Sequence, residues 1–342
     1  MSIQARFAPA MFNEGRLSAY LAGRLAGFAP PMRLIPFGGG RSNPTFLVET
    51  PTWSFVLRKK PDGPLLPSAH AIGREVRVLA ALELSGIPVP GVLLHCEDQG
   101  VIGTEFYLME WIPGRTFSGP RLEGLMPRER AALYDDFIEL LSRLHALDPS
   151  KLGLADFGKP QGYIERQIRR WSEQYRATQT ADIPEMDELI SWLTLNIPDD
   201  DMTSIVHGDY TMRNCIVHPR APIIASIIDW ELSTLGHPLA DVAYAGMFYE
   251  EETAGADLEA LGIPGRDAFF DRYAELSGRG DGVDWTFYLA FNFFRKAAIG
   301  QGVLKRSMAQ GASPATLGRS LVAIRECAVR GRRLIRHRQP PC

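Results

Sequence analysis

The sequence predicts an α+β protein of two lobes, a small β-rich one followed by a larger helical one. Three observations predict it. The first ~110 residues carry five apolar runs of strand length around one internal helical stretch. From residue 127 onward apolar residues recur at helical spacing. At 342 residues the chain exceeds the usual size of one core, and "PGRTFSGP" marks the change of pattern. The expected lobes are residues 1–112 and 113–342.

Asn13 is placed to cap a helix carrying Leu17, Tyr20, Leu21 and Leu25, which Pro30-Pro31 should end. "MRLIP", "TFLVET" and "SFVLRKK" read as strands, with the glycine-rich "FGGGRSN" between the first two. "KPDGPLLPSAH" reads as an irregular loop. "AIGREVRVLAALELSG" reads as a helix with Val76, Leu79 and Leu82 on one face and Gly86 past its end. "PVPGVLLHC" and "TEFYLMEWI" complete five strands.

In the second lobe, "PRERAALYDDFIELLSRLHALD" places Leu133, Phe137, Leu140, Leu141 and Leu144 on one stripe, a buried helix. "GYIERQIRRWSEQY" puts Ile164, Ile168, Trp171 and Tyr175 on one face and Arg166, Arg169 and Arg170 off it. "MDELISWLTLN" is a further helix, "IVHGDYTMRNCIVHP" a β pair around a polar loop, and the last ~60 residues two long helices.

Composition excludes several classes. Apolar residues make up 45% and charged residues 23%, as in globular proteins and unlike disordered ones. A net charge of -3 argues against a nucleic-acid partner. No apolar run is long enough for a membrane span, and "MSIQARFAPAMFNEG" lacks the apolar core of a secretion signal. Cys96, Cys215, Cys327 and Cys342 show no metal-ligand spacing, which fits reduced thiols. The expectation is a soluble cytoplasmic protein with a small-molecule substrate and no obligate protein partner.

The polar loop carries the chemistry. Asp209 and Asn214 are five residues apart, and Asp229, in "IIDWE", follows fifteen residues later at the end of a β run. A carboxamide oxygen and a carboxylate can share Mg²⁺, leaving its remaining positions to water and phosphate. A second carboxylate, free of the metal, can accept a proton from an attacking hydroxyl. Phosphoryl transfer needs those parts and a cationic clamp. Arg58, Lys59 and Lys60 end the strand "FVLRKK", with Arg58 and Lys60 on one face and Lys59 on the other. Glu75 on the next helix can pair with one cation. Gly38, Gly39, Gly40, Ser42 and Asn43 form a loop whose amides can meet phosphates.

These residues resemble the aminoglycoside phosphotransferase and choline kinase-like family, whose fold is protein-kinase-like and bilobal. "HGDYTMRN" matches its catalytic loop, "IDWE" its metal strand, "FVLR" with "REVRVL" its ion pair and "FYLMEWIPG" its hinge. The resemblance implies an ATP- and Mg²⁺-dependent small-molecule kinase. It implies Asp209 as base, Asn214 and Asp229 on the metal, and His207 as support of the loop. It also implies Arg58 on the phosphates paired to Glu75, backbone near Glu110 and Trp111 on the adenine, and Asp241 as a brace. The family position of the clamping lysine holds Arg58 here, and either Arg58 or Lys60 can fill the role. Longer stretches, among them "DWELSTLGHPLADVAY", resemble the branch with kinase-like domains fused to acyl-CoA dehydrogenases. That branch implies a hydroxyacyl-CoA acceptor; other acceptors open to the family are aminoglycosides, amino alcohols and sugars.

Structural readings stand beside these. Glu231 is a second metal contact or a solvent-facing strand end. Lys59 and Lys60 are expected to be solvated. Arg166 and Arg170 are the wet face of a helix or contacts for an anionic substrate, and Arg295 and Lys296 are further anion candidates. Trp171 and Tyr175 are expected in the core, and Cys215 is expected to pack rather than react. A protein kinase is disfavoured by the lack of an HRD loop, a DFG triplet and an APE end. A non-catalytic nucleotide-binding regulator and a metal hydrolase are the remaining alternatives.

Overall fold

The computed structural model describes residues 12–38, 43–61, 71–251, 256–280 and 282–338, with residues 337 and 338 described by backbone only. The chain divides into two compact units. One comprises Met1–Gly114 with Ala225–Glu231, the other Arg115–Ile224 with Leu232–Cys342. The sequence reading placed Ala225–Glu231 with the helical lobe. Its tie to the first unit includes the Ile227 N–H, which donates to the Pro88 carbonyl at 2.8 Å.

In the first unit, α1 (Glu14–Ala22) is capped by Asn13, whose Oδ1 accepts from the Arg16 N–H at 3.0 Å. The helix stops at Gly23, well before Pro30-Pro31. Strands β1 (Arg33–Pro36), β2 (Thr45–Glu49) and β3 (Ser54–Lys59) precede α2 (Ile72–Glu83). Then come β4 (Val92–Cys96), the short α3 (Gln99–Ile102) and β5 (Phe106–Glu110). The five strands form one antiparallel sheet in the order β1-β2-β3-β5-β4. Phe55 and Leu57 face a core with Leu17, Leu21, Phe46 and Phe106. Arg58, opposite Tyr107, lies on the other face. The buried face of α2 is Ile72, Glu75, Val78, Leu79 and Leu82, so Glu75 rather than Val76 points inward.

Alternation corrects the expectation for Lys59. It follows Phe55 and Leu57 on the apolar face and is fully buried, its Nζ 5.8 Å from the Phe12 ring centre.

In the second unit, α4 (Pro127–Ala146) starts with Pro127 and a Glu129 carboxylate that accepts from the Met126 N–H at 2.8 Å. Its expected stripe is buried. Helices α5 (Tyr163–Thr178) and α6 (Pro184–Leu195) follow. Tyr175 is buried as expected, whereas Trp171 is half-buried and donates from Nε1 to Gln167 at 2.8 Å. Next are β6 (Ser204–Val206), a 3₁₀ turn (Met212–Asn214), β7 (Cys215–Val217) and β8 (Ile224–Ile227). A turn at Trp230–Leu232, β9 (Thr234–Gly236) and α7 (Pro238–Ala245) follow.

The strands flanking the polar loop are not a pair. β6 pairs antiparallel with β9, Ile205 opposite Leu235. The chain continues through α8 (Phe248–Glu251), α9 (Leu258–Leu261) and α10 (Arg266–Ser277) to α11 (Trp285–Ala309) and α12 (Pro314–Arg338). α11, apolar on nearly every side, packs against α5, α6, α7 and α12. Among the described residues, no helix is long and apolar enough to cross a membrane. Cys96, Cys215 and Cys327 are buried free thiols.

Candidate active site

The polar loop leaves β6 through a backbone that only a few residues adopt. Gly208 has φ 83°, in the left-handed region, and a Cβ there would sit 2.7 Å from the Leu232 carbonyl oxygen. Gly208→Ala is therefore expected to cost about 1–3 kcal/mol, read as a lower urea midpoint with an unchanged slope.

Asp241, on the first turn of α7, grips this backbone. Its two oxygens accept from the N–H groups of His207 (2.8 Å) and Gly208 (2.9 Å), and His145 Nε2 lies 3.3 Å away. Burial alone would raise the Asp241 carboxyl, but the bonds from His145 and His207 hold it below the usual carboxylate range. Burial depresses His145 below the ordinary imidazole value despite Asp241 beside it. The neutral tautomer with Nε2–H toward Asp241 leaves Nδ1 to accept from the Tyr273 hydroxyl at 2.8 Å. The Tyr210 side chain anchors the loop from within the core, its hydroxyl donating to the Phe137 carbonyl at 3.0 Å.

Asp209 is thereby presented on a rigid support. Its N–H donates to His207 Nδ1 at 3.2 Å, which gives His207 its supporting contact. The Asn214 amide nitrogen donates to the Asp209 carbonyl (2.9 Å) and to Oδ2 (3.1 Å). With its nitrogen so used, the Asn214 carboxamide has its oxygen left for a hard cation. Tyr244 borders the same cavity as Asp209. Arg295 donates to the Gly208 carbonyl and lies 5.2 Å over the Tyr244 ring.

Asp209, Asn214 and Tyr244 line a cavity of about 230 Å³ with Phe137, Met247 and Phe248 on its apolar side. Lys296 also lines it, ion-paired to Glu251 at 2.6 Å. The other anion candidates lie elsewhere. Arg295 is buried as a loop brace. Arg166 donates to the Lys159 carbonyl at 2.5 Å, Arg170 lies 5.3 Å over Trp171, and neither lines the cavity. Cys215 is buried at the end of the loop, and burial pushes its thiol up, so it packs rather than reacts.

The first unit holds a second cluster. Arg58 Nε lies 3.0 Å from Glu75 Oε2, without the alignment of a straight hydrogen bond. Arg58 Nη2 donates to Asp229 at 2.7 Å and to Glu231 at 3.2 Å, and the Asn43 amide reaches Glu231 at 3.4 Å. Glu231 is thus neither a lone strand end nor solvent-facing only. Three carboxylates outweigh the burial that would lower the Arg58 guanidinium and hold it charged. Lys60 continues the strand from its buried end, its N–H donating to the Glu105 carbonyl at 3.0 Å. Asp229 has φ 68°, an uncommon conformation for a residue with a Cβ and a mark of a constrained site. Its side chain remains about one-third exposed, so a carboxylate oxygen is available to a cation.

Burial, opposed by Arg58, pushes Glu75 up to about 7 from 4.5. A raised carboxylate costs stability as pH rises: the cost begins near pH 4.5 and is complete above pH 7. Glu75→Gln is expected to flatten the stability curve across that window by up to about 3 kcal/mol, measured by urea unfolding at pH 5 and 8.

Glu110 donates from its N–H to the Gly91 carbonyl at 2.9 Å, and its carboxylate accepts from the Gly91 N–H at 3.2 Å. Trp111 stacks on Phe37, ring centres 5.8 Å apart. Gly38 is open on its Cα side, and Asn43 is buried. Gly39, Gly40 and Ser42 lie outside the described residues.

The phosphotransferase enzyme family matches residues 33–278, the span that contains both clusters. The chain belongs to this family. It is a small-molecule phosphotransferase acting on a hydroxyl group. The chain is 45% identical over 316 residues to mouse acyl-CoA dehydrogenase family member 10, covering 90% of this chain and 30% of that protein. It is 40% identical over 307 residues to human acyl-CoA dehydrogenase family member 11, covering 86% of this chain and 39% of that one. The chain therefore spans well under half the length of these relatives. A Ralstonia eutropha crystal structure with a provisional aminoglycoside phosphotransferase name matches with a TM-score of 0.86 and 40% identity. That match covers 96% of this chain and all of the other. The phosphotransferase has the kinase-like fold of these neighbours.

One residue of the phosphotransferase site escapes a linear reading. His145 sits on α4, far in sequence from the loop it supports.

Proposed function

We propose that this phosphotransferase moves the γ-phosphoryl group of ATP, with Mg²⁺, to the hydroxyl of a small metabolite, a hydroxyacyl-CoA in preference to an aminoglycoside. The observation that carries the reading is the Asp209 carboxylate, held by Asn214 and bordering a cavity large enough for an acceptor group. The acceptor proton passes to Asp209 as the acceptor oxygen bonds to the γ-phosphorus. The bond from that phosphorus to the leaving ADP oxygen breaks. Asn214 and Asp229 are the proposed metal ligands, chosen for their oxygen donors; bound Mg²⁺ would neutralise phosphate charge. Arg58 is the proposed phosphate clamp, paired to Glu75, and the glycine-loop amides are proposed as further phosphate contacts. Backbone around Glu110 and Trp111 is the proposed adenine contact.

Charge balance supports the acceptor class. Asp209 and Glu251 in the cavity are matched by Arg213 and Lys296, and the wall is partly aromatic. A polycationic aminoglycoside finds no net negative charge there, whereas an aliphatic chain finds apolar contact. The names of the acyl-CoA dehydrogenase relatives point the same way.

The test is ADP release with Mg·ATP against hydroxyacyl-CoAs, aminoglycosides, choline and sugars. Stimulation by hydroxyacyl-CoAs is the expected result. Stimulation by aminoglycosides alone overturns the acceptor class. Tight ATP binding with silence across the panel favours a regulator without catalysis.

A further inference from the structure

A second cavity adjoins the one that Asp209 borders. It measures about 330 Å³ against about 230 Å³ for the first, and both lie in the second unit. They share Gly119 and Pro120 as a common edge. Arg213 joins them: it lines the first, and its Nε donates to the carbonyl of Ser118, which lines the second. We propose that the second cavity is an acceptor subsite. The reacting hydroxyl lies at Asp209, and a neutral, amide-bearing arm of the acceptor passes over the Gly119–Pro120 edge into the second cavity. The inference rests on the hydroxyacyl-CoA reading above and gives the pantetheine arm of such a thioester a place of its own.

Size, chemistry and rigidity support the assignment. The first cavity, about 230 Å³, falls short of the ~300–1,000 Å³ typical of a small-molecule site, so it takes the reacting end of an acceptor and not the whole. The two cavities differ in character. Phe137, Met247 and Phe248 give the first an apolar side for an acyl chain. Thr116, Ser118, Arg121 and Glu123 give the second hydroxyls and one charge of each sign. An uncharged chain of amides and hydroxyls suits a lining that has donors, acceptors and no net charge. The lining segment is fixed by bonds from elsewhere in the unit. The hydroxyl of buried Tyr134, on α4, donates to the Pro120 carbonyl at 2.7 Å. Arg115, just before the segment, exchanges backbone bonds with Val217 at 2.7 and 2.8 Å. Buried Leu122 has φ 48°, an uncommon backbone for a residue with a Cβ and one that persists only where its surroundings impose it. The subsite is thus preformed, so little ordering opposes binding there.

Two acceptors with the same hydroxyacyl group separate the arm from the reacting end. The pantetheine thioester carries the arm, and the N-acetylcysteamine thioester lacks most of it. The same pair without the acyl hydroxyl is the blank for phosphorylation of the arm itself. The parent protein is expected to show a kcat/KM about 10-fold higher for the pantetheine thioester, the gain of one or two hydrogen bonds. Thr116→Trp fills the second cavity from an exposed position and is expected to remove that preference. Equal kcat/KM in the parent protein overturns the proposal, as does a preference that survives Thr116→Trp. A raised KM for ATP with the acceptor preference intact assigns the second cavity to the nucleotide and likewise overturns it.

A readout without turnover keeps the subsite apart from the acceptor reading. In saturation-transfer NMR without nucleotide, butyryl-pantetheine is expected to receive saturation on its pantoyl and β-alanine protons from the parent protein. Thr116→Trp is expected to abolish that transfer while the butyryl protons still receive it. An arm left unsaturated by the parent protein overturns the proposal. Should Thr116→Trp fail to fold, Glu123→Trp, from another exposed position in the same cavity, gives the same comparison. Silence of the parent protein with both hydroxyacyl thioesters, with the arm saturated, is failure of the hydroxyacyl acceptor reading alone and leaves the arm-binding subsite standing.

Discussion

Asp209→Asn is expected to lower kcat by on the order of 10²–10⁴-fold while nucleotide affinity stays within about twofold. The substitution removes charge and basicity and little else. An amide at position 209 still accepts from Asn214 through its oxygen, and the His207 Nδ1 contact is made by backbone. Asp241, Tyr210 and Arg295 hold the loop without using the Asp209 side chain. Thermal stability should thus stay near that of the parent protein, which separates chemistry from folding. Steady-state kinetics together with calorimetric titration of ATP check this. Equal loss of turnover and nucleotide binding would remove Asp209 from the role of base.

The second large effect is on stability. Asp241→Ala should destabilise the second unit by about 3–5 kcal/mol. The change strands two backbone N–H groups, those of His207 and Gly208, in a buried site, and takes the Nε2 partner from His145. Charge-assisted bonds of this kind contribute more than neutral ones, and an orphaned buried donor bears its full desolvation cost. Asp241→Asn keeps an acceptor for one N–H and should fall between. Urea unfolding checks both variants; a loss under about 1 kcal/mol for Asp241→Ala would show that the loop holds its shape without the carboxylate.

The same cluster sets the acid limit of the parent protein. Burial holds His145 below its value of 6.5, so the unfolded chain binds its proton first and stability falls as pH drops below about 6.5. Asp241, held low, adds to that loss only once pH falls through its own depressed range, below 3.8.

Much of this was legible from local pattern. The five strands, α2, α4, α5, α6 and the two long final helices follow from periodicity, because a half-buried element must repeat with its own geometry. Asn13 was readable as a cap because capping is a contact across three residues. Where linear reading failed, a partner distant in the chain decided. Lys59 was expected in water and is buried, because its strand face is covered by α1 and Phe12. Arg295 was expected at an anion and instead supports Gly208. The loop strands looked like a hairpin, yet β6 takes β9 as its partner.

The sequence by itself determined the class of chemistry. Asp209, Asn214 and Asp229, with Arg58 and Glu75 upstream, are residue types and spacings that serve phosphoryl transfer, and the family match spans them all. Only the tertiary structure decided how these groups are held. It singled out Arg58 over Lys60 within the acidic cluster, set Asp241 of α7 against the loop, and recruited His145 from α4. The physical reason is range. Backbone propensity and periodicity act over a few residues and leave a record in the string. The partners of buried polar groups are chosen by desolvation, which acts on whatever the fold brings near.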